Sequence, residues 1–487
     1  MTAILDRFGS PMPVPAKTPR LGNAYKRALK ARYDAAQTTI ENEAHWSYAD
    51  NLSANAANNP GVRRTLRDRS RYEYANNSYY KGMMLTRSNF LIGSGPKPRL
   101  DIEDREVAEI VQLRWCEWCR MVNFNWKLTS AITAMPVDGE SFIVEINNPR
   151  LPEGTPLLDY RVLEAEYVHA RYQGLTDMSP RYIDGIMLDD NGYPIYYDVS
   201  RYHPGDSYNY FQEKQYSISS RNMIHLKRED RPGQVRGIPW MVSALPTFAQ
   251  FRRFTIATLT AAEAAANAAG VVYTDSSALN AEDMEMPDED IFNLQRGSFP
   301  VLPAGWDMKQ IASEHPTATF DMFRRCIISE ISRCLNMPLN IALANSENHN
   351  YASGRLDHQI FQRSIMVERK WIEDVVLGRV FQRWLNEATL LPGYLPEMEA
   401  YPDAFSNMPV RWYWDAMPHV DPEKEANAAI TRWEAGLLTD EDFWFEQVGR
   451  DPEVQYRKLA EQQARREEIG LPVPSSQASQ PAVESPA

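Results

Sequence analysis

Apolar residues recur along this chain with two different periods, and the changes of period divide it into segments. Residues 22–38 carry a basic helical pattern. A further helical pattern runs through Tyr72, Tyr79, Met83 and Phe90, until Gly93-Ser94-Gly95-Pro96 breaks it. The spacing predicts helices over 105–120 and 126–135, with residues 136–139 ending the second. The period then falls to two. Residues 141–146 alternate as a strand, 155–228 are strand-rich, and Asp190-Asn191-Gly192 marks a hairpin. An α+β domain therefore ends near residue 230.

Helical spacing returns at 240–269, with Pro246 near the start and no further Pro or Gly until Gly270. Seven of the nine residues 261–269 are alanine, the best helix former and the side chain that lets neighbouring helices approach most closely. Residues 271–315 form a small insert, with short strands expected at 299–302 and 306–311. A helix follows over 320–335, then a polar loop over 336–350 that holds Pro338. A longer helix is predicted over 352–388, its apolar positions Ile360, Phe361, Ile365, Val367, Trp371, Val375, Val376, Val380 and Trp384. Residues 392–409 are irregular and 411–414 strand-like. Three helices close the pattern: one capped by Asp421 with Pro422 at its first position and ended by Gly436, one capped by Thr439, and one over 452–469. Residues 1–20 and 470–487 have the composition of disordered tails. The expected fold class is helix-rich α+β.

Composition narrows the function. The net charge of −13 argues against a general nucleic-acid binder, and four cysteines among 487 residues argue against a disulfide framework. No basic leader precedes an apolar run at the N-terminus, and residues 254–273 are too polar to insert in a bilayer, so no membrane partner is expected. The C-x-x-C of Cys116 and Cys119 falls in mid-helix without a second knuckle, so it reads as core and not as a metal site. His225 reads as a strand-end core or hydrogen-bonding histidine and not as a ligand. Glu164 and Glu166, two apart on a strand, read as a solvated face. No nucleophile elbow is present, and Gly93 to Lys97 lacks the spacing of a P-loop, so no cofactor or catalytic residue is assigned. Residues 63–99 hold nine Lys/Arg against two acids, a run that suits either phosphate or acidic neighbours within the fold. Residues 271–290 hold seven acids and no Lys or Arg: Asp275, Glu282, Asp283, Glu285, Asp288, Glu289 and Asp290.

Several blocks, in order, resemble the lambda-type bacteriophage portal protein family. They are Arg69-Ser70-Arg71-Tyr72-Glu73 with Asn76-Asn77-Ser78-Tyr79; Trp118 and Asp138-Gly139-Glu140; Ile224-His225 with Arg231-Pro232-Gly233-Gln234-Val235-Arg236-Gly237-Ile238-Pro239; Asn336-Met337-Pro338 and Asn350-Tyr351-Ala352-Ser353-Gly354-Arg355, where the family has serine at Ala352; and Asp421-Pro422-Glu423-Lys424-Glu425-Ala426 with Ala435-Gly436-Leu437-Leu438-Thr439. The nine-residue string from Arg231 to Pro239 is the most specific. The resemblance spans about residues 60–468.

It implies a dodecameric ring at one capsid vertex, in the virion and, during assembly, in the host cytoplasm. The ring nucleates head assembly with the major capsid protein and scaffold, passes double-stranded DNA, and docks terminase and the head-completion and tail connector proteins. It also implies a division into wing (21–239), stem helix (240–269), clip (270–316), second stem helix (317–336), tunnel loop (337–351), wing with the long helix (352–420) and crown (421–469). Asn340, Asn345, Asn348, His349 and Asn350 then become candidates for the DNA channel, and the acidic run of the insert a candidate docking surface. The competing classes are a metal-dependent enzyme, which needs convergent acids that the spacing does not supply, and a different capsid-assembly scaffold.

Overall fold

The computed structural model describes residues 39–40, 43–170, 181–206, 214–267, 271–274, 306–309, 320–347, 350–401, 408–416, 422–440, 442–444, 449 and 452–471. Two units are distinguished, 1–57 and 58–487. In the first, Ala54–Ala57 is a single helical turn, with the Ser53 hydroxyl accepting from the Ala56 N–H at 3.2 Å. The predicted helix at 22–38, the strand at 299–302 and the Asp421 cap lie outside the described residues.

The second unit is a helix-rich α+β fold. Its helices are α1 (Pro60–Asn76), α2 (Ser78–Ile92), α3 (Arg105–Met121), α4 (Phe124–Asp138), α5 (Leu245–Asn267), α6 (Phe320–Ser332), α7 (Leu339–Leu343), α8 (Tyr351–Ile372), α9 (Gly378–Leu390), α10 (Pro422–Glu434) and α11 (Pro452–Glu468). Strands β2 (Glu140–Asn147), β3 (Leu158–Leu163) and β8 (Met223–Lys227) form an antiparallel sheet in the order β3-β2-β8. A four-stranded meander joins β4 (Tyr182–Ile183), β5 (Ile186–Leu188), β6 (Pro194–Ser200) and β7 (Gln215–Ser219). The β5–β6 turn is the hairpin expected at Asp190-Asn191-Gly192, with Gly192 at φ +87°. Strand β1 (Lys97–Leu100) pairs with β11 (Val410–Tyr413) across more than 300 residues, Lys97 opposite Tyr413.

One core lies between the helices and the β2 sheet. Trp115 and Trp118 of α3 sit there against Phe124, Phe381 and Trp384, with ring centroids 5.0–6.3 Å apart. A second, smaller core fills the meander, with Phe142, Ile186, Tyr197 and Val199 buried. Cys116 and Cys119 belong to the first core's helix, and burial pushes both thiols up.

Five expectations change on inspection. The basic helical stretch is two helices: Asn77, extended at φ −120°, closes α1 with its own N–H and caps α2 by accepting from Tyr79 and Tyr80. Helix α4 runs past its predicted last residue, 135, to Asp138, with Pro136 inside it and Gly139 closing it within the expected 136–139 stop. The carbonyl that a proline frees four residues back, that of Ile132, accepts from Arg87 at 3.2 Å instead. The insert opens with an unforeseen strand, β9 (Val271–Thr274), antiparallel to β10 (Trp306–Lys309). The polar loop contains α7, because Pro338 precedes an apolar Leu339-Asn340-Ile341-Ala342-Leu343 run that packs inward. The long helix runs 351–390 through a π-turn at Glu373–Leu377, and Ile360 and Val367 lie on its exposed side.

Candidate functional site: a buried charged junction

Helix α1 presents Arg63, Arg67, Ser70 and Arg71 on one face, at the i, i+4, i+7, i+8 spacing of a helical stripe. That stripe meets the end of α4 and the start of β2. Ser70 donates to the Val137 carbonyl at 2.6 Å, and Arg71 clasps Asp138 through two bonds of 2.7 Å. Arg71 also reaches Glu166 and Glu164, while Arg67 pairs with Glu166 at 3.1 Å. Arg63 pairs with Asp184. Arg63 is buried, which together with Arg236 nearby pushes its guanidinium down to about 9.

The centre of the junction is Glu140, fully enclosed. Its two oxygens accept from Arg236 at 2.6–3.0 Å, from the His225 ring at 3.0 Å and from the Gly237 backbone N–H at 2.9 Å. Burial alone would raise this carboxyl. Arg236 and His225 reverse that and hold it well below the usual carboxylate range. Arg236 completes its fork on the Val168, Asp184 and Ala165 carbonyls and on the Asp184 carboxylate. His225 stacks on Phe142, and burial lowers its pKa, so the ring stays neutral and donates through Nε2.

The Arg231–Pro239 string is built around this arrangement. Gly233 makes the turn at φ +76°, and the buried Gln234 closes it, accepting from the Asp230 and Arg231 N–H groups and donating to the Arg236 carbonyl. A side chain at Gly237 would stand 2.0 Å from the Gly139 carbonyl oxygen, so only glycine lets the two strands of chain meet. The Arg231 carbonyl accepts from the Gln234 N–H at 3.2 Å, and the Pro239 carbonyl from the Val242 N–H at 3.3 Å. Three separated blocks, 69–79, 138–140 and 224–239, thus meet in one place. A second pair of blocks also meets: Arg355 bonds Glu425 at 2.8 Å, and the Lys424 ammonium lies over the Tyr351 ring.

The basic run at 63–99 suits either phosphate or partners within the fold, and three of its nine cations take the second course: Arg63, Arg67 and Arg87 are buried among carboxylates and carbonyls, while Arg64, Arg69, Lys81 and Lys97 are exposed. Glu164 and Glu166 lie on the short turn after β3 and not on a strand; Glu164 is exposed as expected, whereas Glu166 is half-buried and Arg67 and Arg71 hold it low despite that burial.

Glu164, Glu166 and His203 are the one group of potential metal ligands among the described residues, with ligand atoms within 4.8 Å of one another. The chemistry does not suit a metal. His203 Nδ1 accepts from the Gly205 N–H at 3.0 Å, which places the proton on Nε2, facing Glu164 at 3.2 Å, and both glutamates already hold Arg71.

Of the channel candidates, Asn340 is buried and its side chain accepts from its neighbour's N–H. Asn345 is exposed and accepts from the Glu347 N–H at 2.8 Å. Asn350 caps α8 through Ser353 N–H at 2.8 Å. Asn348, His349 and the acidic residues Asp275, Glu282, Asp283, Glu285, Asp288, Glu289 and Asp290 lie outside the described residues.

The charged groups of this junction pair with one another and with backbone carbonyls. The chain belongs to the lambda family of phage portal proteins: the family's model matches residues 41–369. A probable portal protein of Halomonas phage phiHAP-1 is 25% identical over 97% of this chain and 92% of its own. Among solved structures, a chain in the neck of a native gene transfer agent particle, computed with C12 symmetry, matches 79% of this chain and 92% of its own at 14% identity and TM-score 0.47. A chain in the neck of an empty particle, computed with C6 symmetry, matches 88% of this chain and 98% of its own at 14% identity and TM-score 0.44.

Proposed function

We propose that this chain is the repeating subunit of a dodecameric ring at the unique capsid vertex, a conduit and docking platform without catalytic chemistry of its own. Membership of the portal family carries this reading. The ring nucleates head assembly with the major capsid protein and scaffold in the host cytoplasm and passes double-stranded DNA during packaging and ejection. It binds terminase first and the head-completion and tail connector proteins later. The chain lacks a P-loop, so the ATP chemistry of translocation belongs to another protein.

In this assignment α5 and α6 form the stem, the insert between them the clip, α8 and α9 the long wing helix, and α10 and α11 part of the crown. Asn345, Asn348, His349 and Asn350 are the loop groups offered to DNA. The asparagines are neutral side chains that let a polyanion slide, where a basic ring would hold it by counterion release. The seven acids of the insert are the docking surface for a basic partner.

Negative-stain imaging of the purified chain tests the ring directly: twelve subunits around a central hole are expected, and a compact monomer would sink the reading. Packaging by Asn345→Lys/Asn348→Lys particles tests the loop. Translocation should slow, and an unchanged rate would remove these residues from the channel. Neutralising the acidic run should weaken terminase binding at low salt, and unaltered affinity would remove the docking role.

A further inference from the structure

Helix α8 is apolar on two opposite sides. Phe361, Ile365 and Ile372 enter the core. The opposite face carries Ala352, Leu356, Ile360, Met366 and Val367, interrupted by Gln359, Arg363 and Lys370, and all eight are exposed. Leu356 is 62%, Ile360 56%, Met366 54% and Val367 60% exposed. These positions fall on one side at helical spacing and run for about 27 Å. An amphipathic helix needs one apolar side for its own core, so a second apolar side is surplus to the monomer. A largely apolar stripe of this kind on a surface marks a contact.

We infer that this face of α8 is a subunit–subunit interface, covered by a second copy of the same chain. The inference rests on the ring proposed above and assigns it a contact. Three observations favour a second copy over other occupants. First, Arg363 and Lys370 are the only cations on the face, and Lys370 is held by Asp374 at 2.8 Å, so the surface offers little to phosphate. Second, no helix among the described residues is long and apolar enough to cross a membrane, so the stripe does not extend a lipid-facing element.

Third, the feature recurs on the α5–α6 pair. Phe254, Ile256 and Leu259 of α5 and Met322 and Phe323 of α6 are exposed as well. A rotational ring joins two different patches of each copy, and one operation covers all such faces at once. A single partner bound elsewhere would leave most of them in water.

The test uses the full-length chain. Ile360→Glu with Val367→Glu puts two charges into the contact, and both sites are exposed, so the monomer should keep its circular dichroism and melting temperature. Sedimentation should show ring formation weakened by about tenfold or more at a fixed concentration. A photo-cross-linking residue at 360 in the otherwise native chain should give intermolecular adducts.

A ring that assembles undiminished from the double variant overturns this interface while leaving the ring itself standing. Adducts that are only intramolecular, to the chain's own terminal segments, overturn it too. A native chain that stays monomeric at all concentrations sinks the ring and the interface together. Should the double glutamate variant misfold, Ile360→Ser with Val367→Ser and the cross-link decide in its place.

Discussion

Replacing Glu140 by glutamine keeps the volume of the side chain and removes its charge. Four N–H groups donate to the carboxylate, two from Arg236, one from the His225 ring and one from Gly237, and the Arg67 guanidinium stands 3.7 Å away. The amide nitrogen of glutamine would face donors where an acceptor is needed. Arg236 would stay enclosed with Asp184 at 3.1 Å as its remaining carboxylate. Breaking a buried pair from one side costs about 3–5 kcal/mol, because the surviving charge is left uncompensated.

For a chain of this size, with an unfolding entropy of about 2.1 cal/mol/K per residue, that lowers the thermal midpoint by roughly 3–5 °C, at fixed protein concentration so that assembly does not confound the reading. Arg236→Met should cost a similar amount. The double variant Glu140→Gln/Arg236→Met should cost at least about 2 kcal/mol less than the sum of the two, since neither charge is then stranded. A Glu140→Gln chain that melts within about 1 °C of the native one would refute the reasoning. So would single-variant losses that simply add.

Two further outcomes follow from the same junction. Folding lowers the pKa of His225 from 6.5, so below that pH the unfolded chain binds a proton that the folded one refuses, and stability falls as pH drops, by up to about 1.4 kcal/mol per unit. His225→Gln keeps a donor for Glu140 and should flatten the decline in melting temperature between pH 7 and pH 5; parallel curves for the two proteins would exclude His225 as its source. Glycine substitutions should rank by geometry: Gly233→Ala meets open space at φ +76° and costs about 1–2 kcal/mol, whereas Gly237→Ala drives a carbon onto the Gly139 carbonyl and should yield no soluble folded chain. Equal yields of the two would contradict the close approach.

How much of this was legible in the sequence depends on the range of the interaction. The Asp190-Asn191-Gly192 hairpin, the mid-helix C-x-x-C and the boundaries of α3 and β2 are local, and pattern alone located them. The junction is not local. Arg63, Arg67 and Arg71 look like a phosphate-binding run as long as their partners are unknown, and their carboxylate partners lie 67 to 121 positions away, at Asp138, Glu140, Glu164, Glu166 and Asp184. Spacing along a helix shows that three arginines share a face. It does not show what the face meets. A usable signal did exist in the run's arithmetic: arginines at i, i+4 and i+8 with a serine between them describe a stripe, and stripes are more often packed than spread over a polyanion.

The long helix fails for the opposite reason. Its pattern is strong, but Ile360 and Val367 lie on one side and Phe361 and Ile365 on the other, so periodicity has no single phase to report. A monomer core takes only one of those sides. The surplus side is therefore information about assembly that a search for the core mistakes for core, and it places the quaternary signal of this protein in the same residues that made α8 easy to predict.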